Sequence, residues 1–346
     1  MKKILFHIGH PAHVHLFKNT IWNLERDGYK VYVTAMDKEI TLQLLDTYGI
    51  RYDVVGKNVR GLFNKAGNMV KVDWTLLKTV KKLGADLLVS VGSPYLAHVS
   101  VLVRKPHVSF EDTDTESSKF DWLLIPFTVH VRPTCYKKDV CKREIRYNGY
   151  HELAYLHRNY FTPDSRVLDD FGLSKAANFI ILRFVSWDAH HDISDRGFTN
   201  IIDAVKVLER YGRIFITSEK KLPEELEQYR ITVPSEKIHH LLSFATLYIG
   251  ESATMASESA MLGTPSIFVS TSRRGYTDEL ENKYGLVYTF SDQEKGQEYA
   301  LAKAVELLKN ENIKSEWREK RLKMLSEKID VTRFMTELIE NYPKGL

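Results

Sequence analysis

The sequence predicts two doubly wound, parallel α/β domains, and three observations carry that expectation. Short apolar strands alternate with helical stretches along the chain. The alternation restarts after Tyr160-Phe-Thr-Pro-Asp164. The length of 346 residues exceeds what one hydrophobic core ordinarily holds. The expected domains are residues 1–162 and 163–330, with residues 331–346 forming a last helix that crosses back to the first.

In the first half, residues 2–8 read as a buried strand, and Gly9-His-Pro-Ala-His-Val-His15 as the loop after it. Residues 16–27 place Leu16, Phe17, Ile21, Trp22 and Leu24 at helical spacing, stopped by Gly28. Residues 30–35 and 53–55 are strands, and 40–48 and 74–82 are helices. Two further strands, 85–91 and 106–110, end at Gly92-Ser-Pro94 and at Glu111-Asp-Thr-Asp114; residues 122–126 and 127–132 add short ones. In the second half the strands are 179–183, 213–217, 246–250, 266–269 and 285–288. Helices are expected at 198–209, 222–226, 238–245, 252–262, 297–308, 313–328 and 332–342. Open sheets of this kind bind ligands at the carboxyl ends of their strands, where strand order reverses. Two such edges facing each other predict one deep cleft between the domains.

Composition bounds the function. The chain is 43% hydrophobic and 27% charged, as in soluble α/β proteins, and no apolar run approaches a membrane span. The start, Met1 to Gly9, is too short in apolar residues for a signal peptide, so a cytoplasmic location is expected. Cys135 and Cys141 suit a reducing compartment and have no zinc-site spacing. Residues 1–160 carry 24 Lys+Arg against 16 Asp+Glu, and residues 161–346 carry 25 against 29. A basic first half suits an anionic partner, such as a polyprenyl-phosphate acceptor or the inner face of a membrane. Attraction between the two domains, or plain solubility, accounts for the same asymmetry. No basic helix or aromatic-interleaved basic motif points to nucleic acid.

The most informative stretch runs from Leu247 to Val269. A short strand breaks at Gly250-Glu251-Ser252 and is followed by a helix of small residues, closed by Gly263 and Thr264-Pro265. Ser252, Ala253 and Thr254 form its first turn, where unpaired amides and the helix dipole suit a diphosphate. Glu258, about two turns in, is either a solvated helix residue or a carboxylate that grips two neighbouring hydroxyls, as on a ribose.

Ser252-Ala-Thr-Met-Ala-Ser-Glu258 with Ala260-Met-Leu-Gly-Thr-Pro265 resembles the nucleotide-sugar motif of GT-B enzymes. Two such groups are the lipid-linked N-acetylglucosaminyltransferases of peptidoglycan synthesis and the non-hydrolysing UDP-N-acetylglucosamine 2-epimerases. The whole chain looks closer still to the domain-of-unknown-function 354 family. The resemblance implies a GT-B-like architecture in which Glu258 holds the ribose and the helix start faces the diphosphate. It also implies that Ile231-Thr-Val-Pro234, with Val233 at its centre, reads the base through main-chain contacts. Ser270 to Asp278, with Arg273, Arg274, Asp278 and Glu279, would flank the donor sugar; the related transferases carry amides near Asp278 and Glu279, and acidic residues there leave the sugar open.

Candidates for the chemistry follow. His7, His10, His13 and His15 fall within nine residues, without a zinc-ligand spacing. By resemblance, the loop at Gly9 matches the first glycine-rich loop of those transferases, and His13 is the candidate base. Pro11 and Ala12 stand where glycines would be. A helix-capping role for His13 is the competing reading. Glu111 is the second candidate base, with Asp112 and Asp114 beside it; an exposed acidic loop is the plainer reading of that cluster. Arg183, at the end of a buried strand, either meets the diphosphate or pairs with Asp188 or Asp192.

These readings lead to metal-independent sugar transfer from a nucleoside-diphosphate sugar, with a UDP-hexose or UDP-N-acetylhexosamine as donor and no cofactor. The acceptor would be lipid-linked or a glycan. A UDP-sugar 2-epimerase shares the same donor site. A metal-dependent hydrolase would instead use the N-terminal histidines with Asp188, His190, His191 and Asp192. A non-catalytic nucleotide-sugar binding protein is the reading outside enzymes.

Overall fold

In the computed structural model the chain divides into two compact units, Met1–Tyr160 with Ile329–Leu346, and Phe161–Lys328. The structure describes residues 2–57, 62–114, 128–137, 143–185, 198, 200–218 and 221–342. Among the described residues no helix is long and apolar enough to cross a membrane.

The first unit is built on seven strands: β1 (Lys3–Ile8), β2 (Lys30–Asp37), β3 (Asp53–Lys57), β4 (Leu87–Val91), β5 (His107–Phe110), β6 (Thr128–Pro133) and β7 (Glu144–Tyr147). They form one parallel sheet in the order β3-β2-β1-β4-β5-β6-β7. Strand order therefore reverses between β1 and β4, the position at which such sheets bind ligands. The central strands are covered on both faces, which is why their sequences read as continuous apolar runs. Phe17 of the helix Pro11–Arg26 locks that layer to the sheet, with ring centroids 5.2 Å from Phe6 and 5.7 Å from Phe110.

Histidines inside this sheet are hydrogen-bonded core residues, as alternation suggests for His7. His7 Nδ1 lies 3.1 Å from Thr34 Oγ1. His107 bridges Ser90 Oγ at 2.8 Å and Thr128 Oγ1 at 3.0 Å. Burial holds the imidazoles of His7 and His107 neutral, with pKa values lowered to about 4 and about 3.

Several boundaries differ from the sequence expectation. The first helix starts at Pro11, so most of the supposed His-rich loop is helical. Pro11 is pre-set for a first helical position, and His10 caps the turn by accepting the Ala12 N–H at 3.2 Å. The helix Leu62–Leu83 begins well before Trp74. The helix Pro94–Val103 is absent from the sequence expectation, in which Gly92-Ser-Pro94 only ends a strand; Ser93 caps it, its Oγ accepting the Leu96 N–H at 3.3 Å. Strand β7 alternates charged and apolar residues too briefly to stand out. The strand expected at 122–126 lies outside the described residues.

The closing helix, Val331–Asn341, packs in the first unit against the helices Pro11–Arg26 and Leu153–Leu156. Thr332 Oγ1 and Asn19 Nδ2 both donate to the Ala154 carbonyl, at 2.6 and 2.8 Å. Lys2 Nζ donates to the carbonyls of Ile339 and Tyr342 at 2.5 and 2.9 Å, neutralising the exposed acceptors of the last turn.

The second unit holds β8 (Phe179–Phe184), β9 (Arg213–Ser218), β10 (Leu247–Gly250), β11 (Ser266–Val269) and β12 (Val287–Phe290). This parallel sheet has the order β12-β11-β10-β8-β9, so its reversal falls between β8 and β10. Two parallel-sheet α/β domains of this kind make a GT-B-like fold, the class that the alternation and the resemblance predicted.

Candidate functional site

The reversal point of the second sheet gathers Arg183 and the start of the small-residue helix. Gly250, last in β10, lies in register with Arg183 of β8, and the Glu251 N–H donates to the Arg183 carbonyl at 3.0 Å. A Cβ on Gly250 would stand 2.7 Å from that carbonyl oxygen and 2.9 Å from Arg183 Cβ, so only glycine permits this approach. Ser252 then caps the helix Ala253–Leu262, its Oγ accepting the Met255 N–H at 3.3 Å. Ala253 and Thr254 form the first turn, the end of a helix that presents amide donors.

The helix lies close to the sheet because its inward residues are small. Ala256 and Ala260 are fully buried, and Ser266 Oγ of β11 reaches the Ala256 carbonyl at 3.0 Å. Gly263 closes the helix with φ 82°, a left-handed value that suits glycine. Glu258 is not a solvated helix residue. It is 6% exposed, and its Oε1 lies 2.9 Å from Nε2 of His239 on the helix Ile238–Phe244. Sequence reasoning missed both His239 and Glu251. The buried Glu251 carboxylate accepts the N–H groups of Val185 at 2.9 Å and Phe198 at 2.7 Å, which ties down the chain leaving β8. Only its position after Gly250 in the motif could have singled it out.

The two acidic residues expected beside the donor sugar are engaged elsewhere in this unit. Asp278 Oδ1 accepts from Arg273 Nε at 2.6 Å. Both oxygens of Glu279 meet Lys328 Nζ, at 3.0 and 2.9 Å, and the Lys328 side chain is 0% exposed. A buried ammonium needs a carboxylate, so Glu279 has a structural task that the motif comparison did not foresee. Val233 is half-buried in the chain after Ile231, whose N–H donates to the Ile216 carbonyl at 2.9 Å. Asp188, His190, His191 and Asp192 lie outside the described residues. Among the described residues, no three histidine, cysteine or acidic side chains converge as a metal site would require. A cavity of about 550 Å³ lies at Gly212, Arg213, Phe215 and Tyr229, where β9 begins. It is at the opposite ends of the strands from Arg183 and Ser252, and of the expected stretch Ile231–Pro234 it is lined by Ile231 but not by Val233.

In the first unit, His13 sits in the first turn of its helix with the ring over Gly9. The Gly9 N–H donates to His13 Nδ1 at 3.3 Å, which assigns the ring proton of the neutral imidazole to Nε2. Burial, with His10, His7 and His151 nearby, holds its pKa well below 6.5. His13 thus presents an N–H donor, a different role from the proton acceptor the loop resemblance implies. Glu111, the second expected base, is neither exposed nor free. It accepts from Ser109 Oγ at 2.8 Å and from Arg132 Nε at 2.9 Å, with a second bond to Arg132 Nη2 and His130 Nδ1 at 3.0 Å. Burial works against its charge, but His130 and Arg132 prevail and lower its pKa to about 2. A carboxylate held in that state is a weak base.

The next residue, Asp112, has a partner absent from the sequence reading. Its Oδ2 lies 3.1 Å from Nδ1 of His151, in the buried turn after β7. Sequence separation hid the pair: Asp112 follows β5 and His151 follows β7, and only the sheet order brings those strand ends together.

With the fold and its strand-end residues placed, the class is a GT-B-like protein of two parallel-sheet domains. The chain belongs to the family described as Protein of unknown function (DUF354), whose model matches residues 2–344. It is 23% identical over 283 residues to Uncharacterized protein MJ0665 of Methanocaldococcus jannaschii, covering 75% of this chain and 79% of that protein. Similar folds include the S. aureus MnaA–UDP co-structure (TM-score 0.70, 13% identity, 99% of this chain and 96% of that one). The UDP-GlcNAc 2-epimerase from Neisseria meningitidis bound to UDP-GlcNAc is similar at TM-score 0.62 and 13% identity, over 93% of this chain and 100% of that one. The spinosyn rhamnosyltransferase SpnG is similar at TM-score 0.64 and 13% identity, over 99% of each chain.

Proposed function

We propose that this protein transfers a sugar from a nucleoside-diphosphate donor, a UDP-hexose or UDP-N-acetylhexosamine, to an acceptor hydroxyl. The observation that carries the reading is the joining of Arg183, the helix start at Ser252 and buried Glu258 around one sheet reversal. Arg183 and the first-turn amides would take the charge of the departing diphosphate, and Glu258, oriented by His239, would hold the ribose. Val233 and its neighbours would meet the base through their main chain. The names of the similar structures, a UDP co-structure, a UDP-GlcNAc 2-epimerase and a rhamnosyltransferase, support the same donor class.

No metal is needed for this chemistry when an arginine and a helix start neutralise the leaving group. The test is a thermal-shift screen of UDP, GDP, CDP and their sugars. Stabilisation by one base class identifies the donor, and no shift with any of them at millimolar concentration removes the proposal. An epimerase is the second reading, favoured by the similarity to the UDP-GlcNAc 2-epimerase from Neisseria meningitidis. UDP-sugar turnover into a second UDP-sugar without any acceptor would select it over transfer.

A cytoplasmic protein that visits the inner face of a membrane to meet a lipid-linked acceptor completes the proposal. The exposed apolar residues Val70 and Trp74 of the helix Leu62–Leu83, with Lys71, Lys78, Lys81 and Lys82 along that helix, and exposed Leu102 of the helix Pro94–Val103 support that location.

A further inference from the structure

We propose that His151, oriented by Asp112, takes the proton from the acceptor hydroxyl, with Nε2 as the accepting atom. The assignment rests on the sugar-transfer reading, for which it supplies the missing base. Asp112 Oδ2 lies 3.1 Å from His151 Nδ1. An ionised carboxylate at that nitrogen fixes the tautomer with hydrogen on Nδ1 and leaves the Nε2 lone pair open. Nε2 is buried, with no hydrogen-bond partner among the described residues. Buried polar atoms are nearly always bonded, and an orphan at a strand end calls for a partner that arrives from outside.

The surroundings hold the ring in one orientation. Tyr147 lies parallel to it, 6.5 Å between centroids and 4° between planes, and Phe334 backs Tyr147 at 5.2 Å. The turn between Tyr147 and His151 cannot shift easily, because a Cβ on Gly149 would stand 2.6 Å from Val331 Cγ2. Among the described residues, the charged and titratable groups near His151 are Asp112 and Glu111 after β5, Tyr147 stacked on it from β7, Glu152 beside it in sequence, and His13 from the first helix. Burial lowers the proton affinity of His151, but Asp112 foremost, with Glu152 and Glu111, raises it above the ordinary value of 6.5. His13, lowered well below 6.5, stays neutral beside it and presents its Nε2–H to a ligand.

The step balances without any further reactant. The acceptor O–H bond breaks and its proton passes to His151 Nε2. The acceptor oxygen forms a bond to the sugar C1, and the C1–O bond to the diphosphate breaks with its electron pair on the leaving group. Asp112 stabilises the imidazolium and keeps its own charge.

The decisive variant is His151→Asn, whose amide N–H can replace Nδ1–H toward Asp112 but has nothing in place of Nε2. UDP release from UDP-N-acetylglucosamine, with water as the acceptor, should fall about 100- to 10,000-fold while UDP affinity stays unchanged. Asp112→Asn should lower the rate and move the acid limb of the pH–rate profile to lower pH. A purely structural His151 would leave the asparagine variant active with an unmoved profile, and that result overturns the proposal. Histidine ring NMR on the wild-type chain tests the pair without turnover. His151 should titrate above 6.5 and do so at lower pH in Asp112→Asn; a His151 titrating below 6.5, or unmoved by that change, overturns it equally. Absence of any nucleotide binding by the wild-type chain would sink the donor reading on its own, and the proton-accepting role with it.

Discussion

Glu258 shows how far a residue's role depends on what lies across from it. Its carboxylate is buried against His239 Nε2 at 2.9 Å, inside a helix whose other buried residues are alanine, serine and Met261. If it grips a ribose, Glu258→Ala should weaken UDP binding by roughly 10- to 100-fold, the loss expected for charge-assisted hydrogen bonds. Calorimetric titration would show this, and an affinity within about twofold of wild type would end the ribose assignment. Glu111 makes the opposite case. It is the partner of an Arg132 side chain that is 0% exposed, so Glu111→Ala should destabilise the first unit by about 3–5 kcal/mol, read from the urea midpoint. Nearly unchanged stability would mean that Arg132 finds another carboxylate. The acidic cluster 111–114 was visible in the sequence, but the division of labour within it was not. Glu111 and Asp112 are neighbours in sequence, yet one pairs with Arg132 of β6 and the other with His151 after β7.

The helix Leu62–Leu83 is where an element rather than a residue carries the expectation. Val70 and Trp74 are 68% and 58% exposed one turn apart, and Lys78 Nζ lies 5.1 Å from the centre of the Trp74 ring. On the helix Pro94–Val103, Leu102 is 63% exposed. Apolar side chains bordered by lysines suit the boundary between headgroups and acyl chains. Co-sedimentation with vesicles rich in phosphatidylglycerol should be substantial at low salt and decline as salt rises. Trp74→Ser with Val70→Ser should reduce it several-fold without changing nucleotide binding. Binding that is absent at low ionic strength, or indifferent to both substitutions, would remove the membrane location. Helices were the elements read least well from the sequence. Pro11 lies in the stretch expected as a loop and Pro94 at the expected end of a strand, whereas each occupies a first helical turn, where its missing N–H costs nothing.

At the scale of the molecule, the pH response should follow the buried histidines of the first sheet. His7 and His107 have folded pKa values of about 4 and about 3 against an ordinary 6.5, so the unfolded chain binds protons more readily between those limits. Their contribution to stability is complete above pH 6.5 and declines as pH falls towards those folded values. Glu111 adds a loss in the same direction, from 4.5 towards about 2. Urea midpoints measured from pH 7.5 to pH 5 should therefore fall, and fall less when His107 is replaced by Asn; a flat profile would show these imidazoles to be protonated in the fold. Local periodicity determined the two sets of strands and helices, and the Gly250 to Pro265 motif determined where the small-residue helix would begin. Both are properties of neighbours along the chain, where apolar spacing and backbone preference act directly. The reversals at β1/β4 and β8/β10, the burial of Glu258 on His239 and the pairing of Asp112 with His151 were decided only in three dimensions. Each joins residues from separate strands or helices, and which ones meet is fixed by how whole strands pack and in what order.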